Sequence, residues 1–232
     1  MTERVKDRIE QVRQRMAGAA VRVGRDPDEV ELVAVTKTVP VARIREAIEA
    51  GVTHLGENRV QEASDKIALL SAFPVTWHLI GHLQTNKSRP AVELFELIHS
   101  LDSVKLAAAL DRHGADLEKQ VRVLVEINLG GEPSKTGILE PDLVPLLKSC
   151  RQFTHLAIEG LMAIPPFRRN PEDVRPFFRR LRLLRDEAAK ACSDYPLRHL
   201  SMGMSHDYEI AIEEGATLIR VGTAIFEARS EG

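Results

Sequence analysis

Apolar and polar positions along this chain alternate between two periods. Val5, Ile9, Val12 and Met16 recur at helical spacing with charges between them, which predicts an amphipathic helix over 2–23 with one stripe to bury. Arg25-Asp26-Pro27-Asp28 interrupts it. The next stretch, Glu31-Leu32-Val33-Ala34-Val35-Thr36-Lys37, is a nearly unbroken apolar, β-branched run. Such a run suits a strand covered on both faces, as in a parallel sheet. Lys37 then stands where the strand meets its loop, and Pro40 closes the segment. An amine at that end of a buried sheet is expected to be partly desolvated, which favours its neutral, nucleophilic form.

From there strand and helix patterns alternate to the end of the chain. Strands are predicted over 53–56, 76–81, 97–100, 121–128, 155–164, 198–202 and 217–222. Helices are predicted over 41–50, 58–70, 87–94, 104–113, 143–150, 173–192 and 208–214, with a last helical turn after 222. Gly51, Gly114 and Gly215 stand in helix-stop positions, Asn58 in a capping position, and Pro176 in a tolerated first turn. Strict alternation demands parallel strands joined by crossover helices. Eight such units predict an α/β fold, a single (β/α)8 TIM barrel with an extra N-terminal amphipathic helix. A doubly wound open sheet is the alternative, but no glycine fingerprint follows the first strand. No linker or low-complexity tract divides the chain, so 1–232 is expected to be one domain.

Composition narrows the function classes. The 232 residues are 44% hydrophobic and 28% charged with a net charge of -2, so no global field draws the chain to nucleic acid or anionic lipid. No apolar run reaches the ~20 residues of a membrane span. Acidic residues Glu3, Asp7 and Glu10 argue against a signal or transit peptide. Cys150 and Cys192 lack metal-site spacing and fit a reducing cytoplasm, the expected location.

In a barrel the chemistry sits at the C-terminal ends of the strands. Those ends carry Lys37, Glu57-Asn58, His82, Asn128, Met162, Ser201-Met202-Gly203-Met204-Ser205 and Gly222-Thr223. The last two groups follow strands seven and eight, where glycines, amide N–H groups and hydroxyls suit a phosphate. Arg220 adds fixed positive charge. A lysine at one edge and a phosphate cradle at the other point to a ligand with an aldehyde and a phosphate.

These stretches, with Val60-Gln61-Glu62, Trp77-His78-Leu79-Ile80-Gly81-His82-Leu83-Gln84, Asn86-Lys87, Ser134-Lys135-Thr136-Gly137, Gly160-Leu161-Met162 and Arg220-Val221-Gly222-Thr223-Ala224-Ile225-Phe226, carry a resemblance. The chain resembles the pyridoxal phosphate homeostasis protein family, the alanine racemase N-terminal-domain-like proteins, over nearly its whole length. The resemblance implies a fold-type III barrel holding pyridoxal 5'-phosphate (PLP) as an internal aldimine on Lys37. It implies that Ser201 and the backbone of Gly222 and Thr223 hold the phosphate, that Arg220 faces the pyridine nitrogen, and that Asn58 lies near the ring. A cation beside that nitrogen disfavours its protonation and makes the ring a weaker electron sink. Arg59, where an aromatic is expected, and Glu227, where glycine is expected, depart from the family pattern.

Two functions follow from the resemblance: a carrier that buffers PLP in vitamin B6 and amino-acid homeostasis, or a PLP-dependent amino-acid racemase. Racemisation needs acid–base groups on both faces of the cofactor. In alanine racemases the opposing tyrosine comes from a second domain, for which this chain has no room, and its only tyrosines are Tyr195 and Tyr208. The carrier is therefore favoured, with no catalytic residue and no metal site, as a monomer or weak dimer with PLP-dependent apoenzymes as acceptors. Other signals rank lower. Gly130 to Gly137 resembles a P-loop but has Ser134 before its lysine. The arginines Arg175, Arg179, Arg180, Arg182 and Arg185 are expected to form a solvated helix face. His54, His78, His82 and His99 fit no zinc spacing and are expected to serve in structural hydrogen bonds, with His82 nearest the mouth.

Overall fold

In the computed structural model, residues 4–132 and 135–226 are described. Eight strands close into a barrel in sequence order: β1 (Glu31–Val35), β2 (His54–Glu57), β3 (Thr76–Leu79), β4 (Leu97–Leu101), β5 (Val121–Glu126), β6 (Leu156–Met162), β7 (His199–Ser201) and β8 (Leu218–Val221). All neighbours are parallel, and β8 returns to β1 with Val33 opposite Arg220, which excludes the open sheet. The helices are α1 (Val5–Arg22), α2 (Val41–Glu49), α3 (Val60–Leu69), α4 (Ser88–Leu94), α5 (Val104–Asp116), α6 (Leu143–Cys150), α7 (Arg175–Ala191), α8 (Tyr208–Glu213) and α9 (Thr223–Phe226).

The period-2 alternation sorts each strand into an inward and an outward face. Outward residues such as Ala34, Leu55, Leu79, Ile98 and Ile219 join the large core between strands and helices. Inward residues Val33, Leu97, Leu124, Met162 and Leu218 form a separate, smaller cluster inside the barrel. α1 buries the expected stripe, Val5, Ile9, Val12 and Met16, together with Ala19 and Ala20, against α2, α8 and α9. Each fully buried large side chain there contributes roughly 1.5–3 kcal/mol, so packing more than helix propensity holds α1 in place.

Several local expectations are corrected. Asn58 does not cap α3; Arg59 is the N-cap residue and makes no side-chain capping bond. Gly114 does not stop α5, which continues to Asp116. A Cβ at Gly114 would meet the Lys119 carbonyl at 2.8 Å, so that glycine serves a close chain approach. The arginine-rich face of α7 is paired rather than merely solvated: Arg175, Arg179 and Arg182 converge on Glu214, and Arg180 meets Glu140 and Glu187. Glu227, and Pro133 and Ser134 of the P-loop-like stretch, lie outside the described residues. Cys150 and Cys192 are buried free thiols. Among the described residues no helix is long and apolar enough to cross a membrane, and no group of three or more His, Cys, Asp or Glu side chains is placed to hold a metal ion.

Candidate functional site

Parity brings the rim together. Lys37 lies two residues past Val35, in the turn that leaves the C-terminal end of β1. A Cβ built on Gly222 would stand 3.3 Å from the Val35 Cβ, so the ends of β1 and β8 are close neighbours. Lys37 itself is exposed, so the partial desolvation expected for it is not met. What the fold fixes is its backbone. Lys66 of α3 donates to the Thr36 carbonyl at 2.6 Å, to Glu57 Oε1 at 2.7 Å and to Glu62 Oε1 at 2.7 Å. Glu62 Oε1 also accepts the Thr38 N–H at 2.6 Å. The peptide groups on either side of Lys37 are thus both held by α3. Thr38 sits at φ 60°, a left-handed conformation that disfavours a β-branched residue.

The clamp is ionic and largely buried. Glu57 is fully buried and its Oε1 also accepts from Thr36 Oγ1 at 2.6 Å. Burial pushes its carboxyl up, against the hydrogen bonds from Lys66 and Thr36. Burial acts on Glu62 in the same sense, but the bonds from Lys66 and the Thr38 N–H outweigh it and the net direction is down.

Next to the end of β1, the β8–α9 junction offers backbone donors. The N–H groups of Gly222 and Ala224 both donate to Ser205 Oγ at 3.2 Å. Gly203, in the loop after β7, has φ +91°, and a Cβ there would reach the Ala211 Cβ at 2.5 Å, so this loop can lie against α8 only with glycine. Thr223 is exposed at the start of α9.

Beneath this cradle Arg220 points into the barrel. It donates to Ser201 Oγ and, at 3.0 Å, to the Ala163 carbonyl. Burial pushes the guanidinium down to about 10, against the fields of Asp207 and Glu126. Glu126, on the inward face of β5, accepts from Thr136 Oγ1 at 2.7 Å and is itself pushed up by burial. At the rim His82 faces Asp102 at 3.3 Å, and Asn58 is half-buried beside Arg59 and His82.

A family model described as the alanine racemase N-terminal domain matches residues 3–230. The pyridoxal phosphate homeostasis protein of Aquifex aeolicus is 44% identical over 96% of this chain and 97% of its own length. That of Escherichia coli is 42% identical over 95% of each chain. The chain belongs to the pyridoxal phosphate homeostasis protein family. Among solved structures, this member of the family is similar to PipY of Synechococcus elongatus with PLP bound, at 40% identity and a TM-score of 0.81, covering 93% of this chain and 99% of that one.

Against the sequence-based expectations for the family, the structure gathers Lys37, Asn58, Gly222 and Thr223 at one rim with Arg220 beneath them. Ser201, expected at the phosphate, is the last residue of β7. It is fully buried, with its hydroxyl between Arg220 and His99, while Ser205 is the hydroxyl at the cradle. Sequence reasoning assigned no role to Glu57, Glu62 and Lys66. Their signal was the i,i+4 Glu62–Lys66 pair facing a strand end.

Proposed function

We propose that this protein holds pyridoxal 5'-phosphate covalently through Lys37 and buffers it within cellular vitamin B6 and amino-acid homeostasis. When bound, PLP supplies an aldehyde that condenses with a primary amine, releasing water. The residues present fit that group. Lys37 is the amine, and the Gly222 and Ala224 N–H groups already converge on an oxygen, that of Ser205, as they would on a phosphate oxygen. The phosphate role therefore passes from Ser201 to Ser205, with Gly222 and Thr223 kept. Arg220 lies below the rim as a fixed cation for the ring nitrogen, and Asn58 borders the same opening.

The observation that carries this reading is that the end of β1, two residues before Lys37, lies against Gly222 at the end of β8, with Arg220 two residues earlier on that strand. A carrier is favoured over a racemase by where the tyrosines lie. Tyr195 donates to the Leu147 carbonyl at 3.0 Å, and Tyr208 is buried under the Arg15 guanidinium of α1. The exposure of Lys37 leaves a held aldehyde within reach of another amine, which suits PLP-dependent apoenzymes as acceptors. All the side chains named come from one barrel, so a monomer or weak dimer suffices.

Borohydride trapping of the PLP-loaded protein followed by peptide mapping is the test. Label on Lys37, lost in Lys37→Ala together with the long-wavelength absorbance, is the expected result; label on another lysine overturns the assignment. Incubation with single-enantiomer amino acids should leave their chirality unchanged, and turnover at ordinary enzyme rates would establish a racemase instead.

A further inference from the structure

A line of hydrogen-bonding side chains crosses the inside of the barrel from its floor to Arg220. His54 Nδ1 lies 2.9 Å from His78 Nε2, His78 Nδ1 lies 2.9 Å from His99 Nε2, and His99 Nδ1 lies 2.9 Å from Ser201 Oγ. Ser201 Oγ in turn accepts from Arg220. At the other end His54 Nε2 faces Glu31 Oε2 at 3.7 Å, at the N-terminal opening of the barrel. The strand registers build this staircase. His54 of β2 pairs with Thr76, two residues before His78, and His78 of β3 pairs with Leu97, two residues before His99. Each inward histidine therefore stands one strand across and two residues up from the last.

Counting donors fixes the polarity of the line. A guanidinium only donates, so Arg220 occupies a lone pair of Ser201 Oγ. The single Ser201 O–H is then free to donate to His99 Nδ1. With that nitrogen accepting, His99 carries its proton on Nε2 and donates to His78 Nδ1. His78 likewise donates through Nε2 to His54. The opposite polarity would aim both Arg220 and His99 at Ser201 Oγ and strip the Ser201 proton of its acceptor in a fully buried site. Burial also keeps the two inner rings neutral: His78 is pushed down to about 3 and His99 well below its ordinary range.

We propose that His54, His78 and His99 form a polarised hydrogen-bond relay that positions Arg220 through Ser201, coupling the solvent-facing floor of the barrel to the cation beneath the cofactor rim. The three histidines are positioning residues; Arg220 is the group that faces the cofactor. The relay orients the Ser201 hydroxyl, and the hydroxyl holds the guanidinium. The proposal rests on the PLP reading only for what Arg220 serves; the relay itself is a property of the protein without PLP.

Nitrogen-15 NMR of the protein without PLP tests the polarity directly. His78 and His99 are expected as neutral Nε2–H tautomers at neutral pH; Nδ1–H tautomers or charged rings overturn the proposal. His99→Asn is expected to lose the protection of the Arg220 guanidinium N–H groups from hydrogen exchange and, once loaded with PLP, to shift the absorbance maximum while borohydride still labels Lys37. Unchanged Arg220 exchange overturns it. If His99→Asn does not fold, His54→Ala at the half-buried floor serves. It is expected to shift the ring resonances of His78 and His99, and the proposal fails if only the resonances next to residue 54 move. Loss of Lys37 labelling in the wild-type protein would reject the PLP reading and leave the tautomer result standing.

Discussion

Two polar networks back the two ends of the site, and they handle burial in opposite ways. Behind Lys37, between the outer wall of β1–β2 and α3, the network is ionic: Lys66 meets two carboxylates and a carbonyl. Beneath Arg220, inside the barrel, three imidazoles and a hydroxyl form a line in which the two innermost rings are held neutral by burial. The clamp lies near enough to solvent for Glu62 to stay about one-third exposed, and its ammonium has an oxygen acceptor for each of its three protons. A charge buried in the interior is costly, and Arg220 carries one there within the fields of Asp207 and Glu126. An ionic clamp can hold a strained backbone with strong, short bonds. A neutral line can pass orientation across the barrel without adding buried charge.

The sharpest way to break the comparison is to remove the cation of the clamp. Lys66→Met leaves Glu57 buried without its ion-pair partner, and removal of one member of such a pair destabilises by about 3–5 kcal/mol. Urea unfolding should show that loss, and adding Glu57→Gln should restore much of it. Equal losses in the single and double variants would mean that the clamp acts by packing rather than charge.

Acid should expose the neutral network next. Burial pushes the folded His78 down to about 3 from the ordinary 6.5 of an unfolded chain. Between those values the unfolded chain binds a proton that the folded one does not, so stability falls as pH drops through that window. The slope approaches ~1.4 kcal/mol per pH unit for each such histidine. His99 shifts the same way. Glu62 also loses its contribution on acidification, but lower down, starting as pH falls through the ordinary carboxylate value and ending below its depressed folded one. The histidine share is isolated by comparing wild type with His78→Asn from pH 6.5 to 5: the variant should be flatter, and parallel curves would mean the ring is not held neutral.

The same contrast explains what the sequence could and could not reveal. Alternation of apolar runs with helical stripes was enough for the closed barrel, because each parallel strand needs its own crossover. Lys37, Arg220 and Gly222 were legible because strand parity and the C-terminal rim follow from the fold class alone. Depth was not legible. Ser201 ends β7 and Ser205 lies in the loop after it, but only the folded chain shows one hydroxyl buried against Arg220 and the other accepting the Gly222 N–H. The histidine line was hidden for a related reason: the two-residue climb between β2, β3 and β4 is a register property with no local sequence mark. Asn58 misled as a cap because the chain passes so close to Gly81 there that a Cβ on that glycine would clash with the Asn58 backbone, and α3 starts one residue later.

The smallest expected effect probes what the ionic clamp is for. Glu62→Gln removes the negative charge from the oxygen that accepts both the Thr38 N–H and Lys66, leaving a weaker, neutral amide acceptor in its place. A hydrogen bond to a charged group is worth about 1.5–3 kcal/mol, and the partly exposed position of Glu62 places this one at the low end. Part of that energy holds Thr38 at φ 60°, a conformation that costs roughly 1–2 kcal/mol for a residue with a Cβ. Glycine adopts positive φ without that penalty. Thr38→Gly alone should therefore change stability by less than about 1 kcal/mol, since relief of strain is offset by the greater freedom of the unfolded chain. In the Thr38→Gly background, Glu62→Gln should slow PLP capture by Lys37 less than it does in the wild-type background. Equal slowing in both would show that Glu62 does not act by keeping Thr38 in its left-handed turn, and the clamp would then be a stabilising ion pair that happens to sit beside the lysine.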